Sequence, residues 1–165
     1  MSKAAAFGIG NKGEKEVIAL LNKCGIVTEK EPDREKRYDH DLVCQLGKKK
    51  FTCEVKFDSM ACKTGNLAIE HHNSVKDKPS GIEVTKADLW MHLIRDGENI
   101  TVWVTNTNSL KAYIKTNEPF KKITNAGDGN ANLWLYRTDD MLSIFERLDD
   151  VNDKEVVTRV KKVLK

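Results

Sequence analysis

A chain of 165 residues, 39% of them hydrophobic, is long enough to enclose one well-formed core and short for two ordinary domains, so one domain spanning 1–165 is expected. No run approaches the roughly 18 apolar residues of a membrane span, and the opening MSKAAAFGIGNKG lacks the apolar centre of a secretory signal, which points to the cytoplasm. A net charge of +3 is too small to establish a nucleic-acid partner, and Cys24, Cys44, Cys53 and Cys62 lack the CxxC or Cys/His pairing of a zinc site, which fits a reduced compartment.

Residues 12–24 (KGEKEVIALLNKC) carry Val17, Ile18 and Leu21 at helical spacing, and Gly25 ends the pattern, which predicts a first helix. The polar stretch 30–38 (KEPDREKRY), with Pro32, reads as a loop. Segments 41–46 (DLVCQL) and 51–57 (FTCEVKF) flank GKKK and predict a β-hairpin. A strand is expected at 67–71 (LAIEH), then a short helix KADLW capped by Thr85, a strand at 99–105 (NITVWVT) and a helix at 107–115. A strand at 132–137, a helix DDMLSIFERL capped by Thr138, and a basic amphipathic helix over 153–164 complete the chain. The apolar stripe of that last helix closes the core or a homodimer interface. Helices interleaved with strands predict an α/β fold with a central mixed sheet flanked by helices.

The chemistry is concentrated in the hairpin. With GKKK as a symmetric four-residue loop, Asp41 faces Lys56, Val43 faces Glu54, and Cys44 faces Cys53. Alternation along the strand turns Glu54 and Lys56 one way and Phe51, Cys53, Val55 and Phe57 the other. One face is apolar, and the other collects Asp41, Glu54 and Lys56. Magnesium prefers hard oxygen ligands, so Asp41, Glu54 and the backbone carbonyl of Val55 are the candidate metal ligands. Lys56 is placed to orient a water or to stabilise charge on a phosphate.

A solvated cross-strand set of ion pairs would read the same from the hairpin alone. The first helix tips the balance. At about 100° per residue Glu14 falls within the arc of Val17, Ile18 and Leu21, whereas Glu16 lies opposite. A carboxylate in line with an apolar stripe is either aimed at something cationic or simply favours the positive helix N-terminus.

The order Glu14, Asp41, Glu54, Lys56 resembles the PD-(D/E)xK nuclease superfamily, and most closely archaeal-type Holliday junction resolvases. In that family a glycine and then a glutamate open a first helix ending in glycine, as Gly10, Glu14 and Gly25 do here; Asp41-Leu42-Val43 and Glu54-Val55-Lys56 match the two strands of the motif. His40 stands where the motif's name has proline. The likeness covers roughly residues 10–57, and TGNLAIEHH and SGIEVTKADLW extend it to about residue 95 through a resemblance to phage-encoded nucleases of the same superfamily. The resemblance implies a restriction-endonuclease-like core, catalysis by Glu14, Asp41, Glu54 and Lys56, magnesium with manganese as a substitute, and a DNA substrate. A junction resolvase would be a homodimer acting on branched DNA. A general, flap or single-strand nuclease of the superfamily and a non-catalytic DNA-binding module remain alternatives.

Lys12, Arg34, Lys36, Arg37 and Lys63 flank the site in sequence and are the candidate phosphate contacts. Glu70, on the strand after the hairpin, and Lys86, at a helix start, either border the site or are ordinary surface charges, the latter being favoured; His71 and His72 read as surface or substrate-side residues, and Trp90, Trp103 and Trp134 as core.

Overall fold

The structure is a computed structural model that describes residues 3–127 and 129–165, with the backbone alone for residues 3–7, 9 and 10. Helix α1 (Lys3–Lys23) leads into strand β1 (Val27–Lys30) and then the hairpin of β2 (Leu42–Leu46) and β3 (Lys49–Asp58). A short α2 (Ala61–Thr64), β4 (Asn66–Asn73) and β5 (Lys78–Pro79) precede β6 (Leu89–Asp96) and β7 (Asn99–Asn106). Then come α3 (Thr107–Thr116), β8 (Lys121–Ala126), β9 (Ala131–Arg137), α4 (Thr138–Leu142), β10 (Glu146–Arg147) and α5 (Asp153–Val163). Among the described residues no helix is long and apolar enough to cross a membrane.

The strands form a six-stranded sheet in the order β1-β2-β3-β6-β7-β10 and a four-stranded sheet in the order β5-β4-β9-β8. Only β3 and β6 pair in parallel, so the larger sheet is mixed and the fold is α/β, as expected. Strand β6 is buried on both sides, from Leu89 to Ile94. Leu89, Met91 and Leu93 join Val17 and Leu21 of α1, Leu42 and Phe51 of the hairpin, and Val156 and Val160 of α5. Trp90 and Ile94 turn to the opposite face, against Leu67 and Ile69 of β4, Leu110 of α3 and Met141 of α4. Each fully buried aliphatic side chain contributes about 1.5–3 kcal/mol, so β6 is clamped from both faces. The stripe of α5 is spent on this core.

Several elements differ from the sequence expectation. The hairpin turn holds only Gly47 and Lys48, and the register pairs Leu42 with Cys53 and Cys44 with Phe51. Strand β2 begins at Leu42, and Asp41 precedes it beside Cys53 and Glu54 rather than opposite Lys56; Cys44 and Cys53 meet diagonally, Sγ to Sγ 3.7 Å, as free thiols. The tight turn brings Lys49 and Lys50 into the ladder opposite Leu46 and Gln45. No helix forms at KADLW: the Thr85 hydroxyl accepts from the Ala87 amide at 3.3 Å, but Leu89 and Trp90 already belong to β6. Three residues are too few to nucleate a helix against a strand that buries a tryptophan. The helix expected over DDMLSIFERL stops at Leu142, since Thr105 holds the Ile144 carbonyl at 2.7 Å and Glu146–Arg147 pairs with β7. Thr138 lies inside this helix, whose N-cap position is Arg137. Helix α1 starts at Lys3, so Gly10 is inside it and does not open it. Strands β1 and β8 escaped notice because their sequences, VTEK and KKITNA, are largely polar and exposed.

Candidate active site

The amide of Asp41 donates to the Cys53 carbonyl at 3.0 Å, one residue off the β2–β3 register, and Asp41 Oδ2 accepts from the Val55 amide at 2.8 Å. The slip from the expected register is an even number of residues, so side-chain parity survives it. Asp41, Glu54 and Lys56 share one face of the sheet, while Cys53 and Val55 enter the core on the other. Glu54 accepts from Lys56 Nζ at 2.7 Å through Oε1 and from the Thr85 hydroxyl at 3.2 Å through Oε2. The Lys56 ammonium also lies 5.7 Å from the centre of the Trp90 ring.

Helix α1 delivers Glu14 to this group through a close approach at Gly13. A Cβ there would sit 3.3 Å from Phe57 Cβ and Cδ2, a tight contact that Phe57 or the helix would have to relieve by a few tenths of an ångström. Glu14 pairs with Lys30 Nζ at 2.6 Å and stands near enough to Asp41 to raise its pKa.

The electrostatics are those of crowded acids. Asp41 is pushed up to about 6, first by burial and then by the Glu54 carboxylate, with Glu14 adding to it; Lys56 and the Val55 amide pull the other way without prevailing. Burial works against charge on Lys56, yet the carboxylates of Glu54, Asp41 and Glu70 outweigh it, and its pKa is raised. Lys56 is thus a fixed cation among acids whose mutual repulsion it only partly cancels.

Four members of the neighbourhood, Thr85, Glu70, Asp58 and His92, are not among the site residues expected from the sequence. Thr85, 3% exposed, bridges Glu54 and the loop before the hairpin, its one hydroxyl proton shared between Glu54 Oε2 and the Asp39 carbonyl at 3.1 Å. Glu70 is half-buried rather than a free surface charge: it accepts from Ser80 Oγ at 2.6 Å and lines with Lys56 a cavity of about 460 Å³. The chain crosses it so closely at Gly81, φ +53°, that a Cβ would sit 2.2 Å from the Glu70 carbonyl oxygen. Asp58 and His92 line the same cavity, with His92 Nε2 3.4 Å from Asp58 Oδ2. Thr85 and Glu70 come from segments after the hairpin, and only the fold brings them to it.

Of the expected phosphate contacts, Lys12, Arg34, Lys36, Arg37 and Lys63 are all exposed. Arg37 is committed in part, its Nε donating to the Glu31 carbonyl at 2.7 Å. Lys63 lies on α2, which packs against β4 and β6. Lys86 is exposed and paired with Asp39 at 3.1 Å; His71 stacks on Trp134 with ring centres 3.9 Å apart.

Among the described residues no three His, Cys, Asp or Glu side chains form a ready-made cation cage. Magnesium does not ask for one, since it is commonly held by one or two carboxylates together with waters and substrate phosphate. The donor set of Asp41 and Glu54 fits that need, and a cation would relieve the repulsion that raises Asp41. The Val55 carbonyl points to the same side of its strand as its amide, toward Asp41. Compared with protein-family models, curated proteins and solved structures, the chain has no match.

Proposed function

We propose that this chain is a divalent-cation-dependent endonuclease that hydrolyses DNA phosphodiesters at the Asp41–Glu54–Lys56 cluster, with branched DNA as its substrate and a restriction-endonuclease-like core as its scaffold. The observation that carries the reading is Asp41 beside Glu54 on one sheet face, its carboxyl pushed up to about 6 by burial and by its acidic neighbours, with an ammonium 2.7 Å from Glu54. Surface ion pairs do not build up unrelieved negative charge in this way, whereas sites that bind cations and phosphate do.

In this reading Asp41, Glu54 and the Val55 carbonyl hold magnesium. The bound ion supplies Lewis-acid polarisation of the phosphoryl oxygen and a more acidic water. Lys56, kept charged by three carboxylates, meets a phosphate oxygen and stabilises charge developing there. Thr85 fixes the Glu54 carboxylate through Oε2, leaving Oε1 on the side of Lys56. Glu14 holds Lys30 and deepens the negative potential at Asp41. The test is cleavage of labelled four-way junction, flap, duplex and single-stranded DNA in magnesium or EDTA. Paired nicks in the junction, lost in EDTA and in Glu54→Gln, are expected; no cutting of any substrate would overturn the proposal.

A further inference from the structure

The loop before the hairpin presents one residue in a way that neither folding nor the metal site requires. Tyr38 is 77% exposed, the highest exposure among the large hydrophobic side chains described. The other two tyrosines, Tyr113 and Tyr136, pack edge to face with ring centres 5.9 Å apart. Tyr38 instead ends a 3₁₀ turn, Lys36–Tyr38, three residues before Asp41.

That turn is rigid. The Asp39 amide donates to the Lys36 carbonyl at 2.8 Å and the His40 amide to the same oxygen at 3.2 Å. Glu31, 4% exposed, braces the loop from within: its carboxylate accepts from the Asp33 amide at 2.9 Å and meets His40 Nε2 at 2.5 Å, and its carbonyl holds Arg37. From outside, the Lys86 amide donates to the Asp39 carbonyl at 2.8 Å, and Thr85 joins the same carbonyl to Glu54. The platform that carries Tyr38 is therefore wired to a metal-site carboxylate. An exposed ring on a fixed backbone gives contact area at little entropic cost.

The loop carries charges of both signs: Arg34 and Lys36 are exposed, as are Asp33 and Glu35, and Lys86 beside it is paired with Asp39. Three residues of chain reach at most about 10–11 Å, which bounds the distance between the Tyr38 and Asp41 backbones. A flat aromatic face beside exposed cations is the arrangement that holds a nucleobase by stacking and its phosphates by charge. A base inside a duplex has both faces covered by its neighbours, whereas an unpaired base has a face to offer.

We infer that Tyr38 is a stacking platform for an unpaired base adjoining the scissile phosphate, which makes the substrate class DNA with unpaired nucleotides at the cut, as at a branch, flap or gap. This inference rests on the nuclease reading above. It assigns the discrimination against plain duplex to one exposed ring, with Arg34 and Lys36 supplying sequence-independent affinity.

The test measures binding in EDTA to a gapped oligonucleotide carrying 2-aminopurine in the gap, and to a fully paired duplex of equal length, followed by cleavage of both in magnesium. Wild type, Tyr38→Phe, Tyr38→Trp and Tyr38→Ala are compared; the side chain is exposed, so all four fold alike, which thermal melting verifies. Stacking predicts quenching of 2-aminopurine by wild type, a roughly tenfold loss of gapped-DNA affinity in Tyr38→Ala, retention in Phe and Trp, and no change on duplex. Equal losses on both DNAs, or no loss in Tyr38→Ala, would overturn the inference. If magnesium-dependent cutting then persists and falls away in Glu54→Gln, the nuclease reading stands without it; if the wild type neither binds nor cuts, both fail together.

Discussion

Two aspartates near one strand of this protein meet opposite fates. Asp58, at the end of β3, is 8% exposed and accepts from the amides of Met60, Ala61 and Ala68 at 2.9, 2.8 and 3.2 Å, with His92 beside it. Trp90 Nε1 donates to His92 Nδ1 at 3.3 Å, so Nε2 carries the proton toward Asp58. Burial raises the Asp58 pKa, but His92 and these amides outweigh it, and its pKa is lowered. Asp41, beside Glu54, receives a single amide and two acidic neighbours, and is pushed up to about 6. Both carboxylates are largely withdrawn from water. What separates them is whether the protein supplies the donors: Asp58 is satisfied within the fold and serves it, whereas Asp41 is left in want of positive charge.

The largest expected effect is on catalysis, at the unsatisfied site. On the proposed function, Glu54→Gln removes a charged cation ligand and the acceptor of either Lys56 or Thr85, and should lower cleavage by about a thousandfold or more, in line with loss of a group acting on the transition state. Denaturant unfolding should show the same variant folded. A protein that unfolds instead would place Glu54 with Asp58, as a structural acid.

The second effect belongs to the satisfied site. Asp58→Asn keeps the shape but sets an amide NH₂ against donors from Ala68 or His92, and should cost about 3 kcal/mol in urea unfolding. Acid should reproduce the loss. With a lowered folded pKa, Asp58 stabilises the protein above its ordinary value of 3.8, and that stabilisation disappears as pH falls through the folded value. A variant as stable as wild type would dissolve the contrast from the other end.

Much of the site was legible in the sequence because parity is sturdier than register. The hairpin turn is two residues rather than four, and yet Asp41, Glu54 and Lys56 share a face, since a slip by an even number of residues leaves every side chain on its side. Glu14 was legible from helical spacing because the helix reaches past residue 12 without a break in phase. Thr85 and Glu70 were not assigned to the site, because no local pattern reports that the loop at Gly81 folds back over β4 and that Lys86 docks on Asp39. Strand β6 was missed for a related reason: burial on both faces erases the alternation that betrays a half-exposed strand, and LWMHLI reads as easily as a buried helix. The second sheet depends on β4 and β9, which were expected as strands, and on β5 and β8, whose polar edges were not.

The third expectation turns the contrast into a pH measurement. In Asp41 the folded pKa lies above the ordinary 3.8, so the folded state binds that proton more tightly than the unfolded chain, and stability is lost as pH rises from about 4 through about 6. Asp41→Asn removes this penalty and should gain about 1–2 kcal/mol at pH 7 without metal, once solvent screening is allowed for. Magnesium should stabilise the wild type and leave the variant unchanged. A variant destabilised at pH 7 would mean that Asp41, like Asp58, is held by the fold.

The smallest effect is the most discriminating, because it separates Glu14 as a member of the site from Glu14 as the partner of Lys30. As a site member, Glu14 contributes negative potential at Asp41, so Glu14→Gln should weaken magnesium binding by about tenfold and draw the pH midpoint of that binding down from about 6, since a like charge has been taken from Asp41. As the partner of an exposed lysine alone, it would cost a fraction of a kcal/mol in stability and leave the midpoint where it was. Glu16→Gln serves as the control, because Glu16 is exposed and lies on the opposite side of α1. A midpoint shifted by Glu16→Gln and unmoved by Glu14→Gln would show that the repulsion at Asp41 comes from elsewhere, and would leave Asp41 and Glu54 as the only carboxylates of the site. A shift confined to Glu14→Gln would mean that α1, brought against β3 at Gly13, helps to set the charge of the site as well as to cover the core.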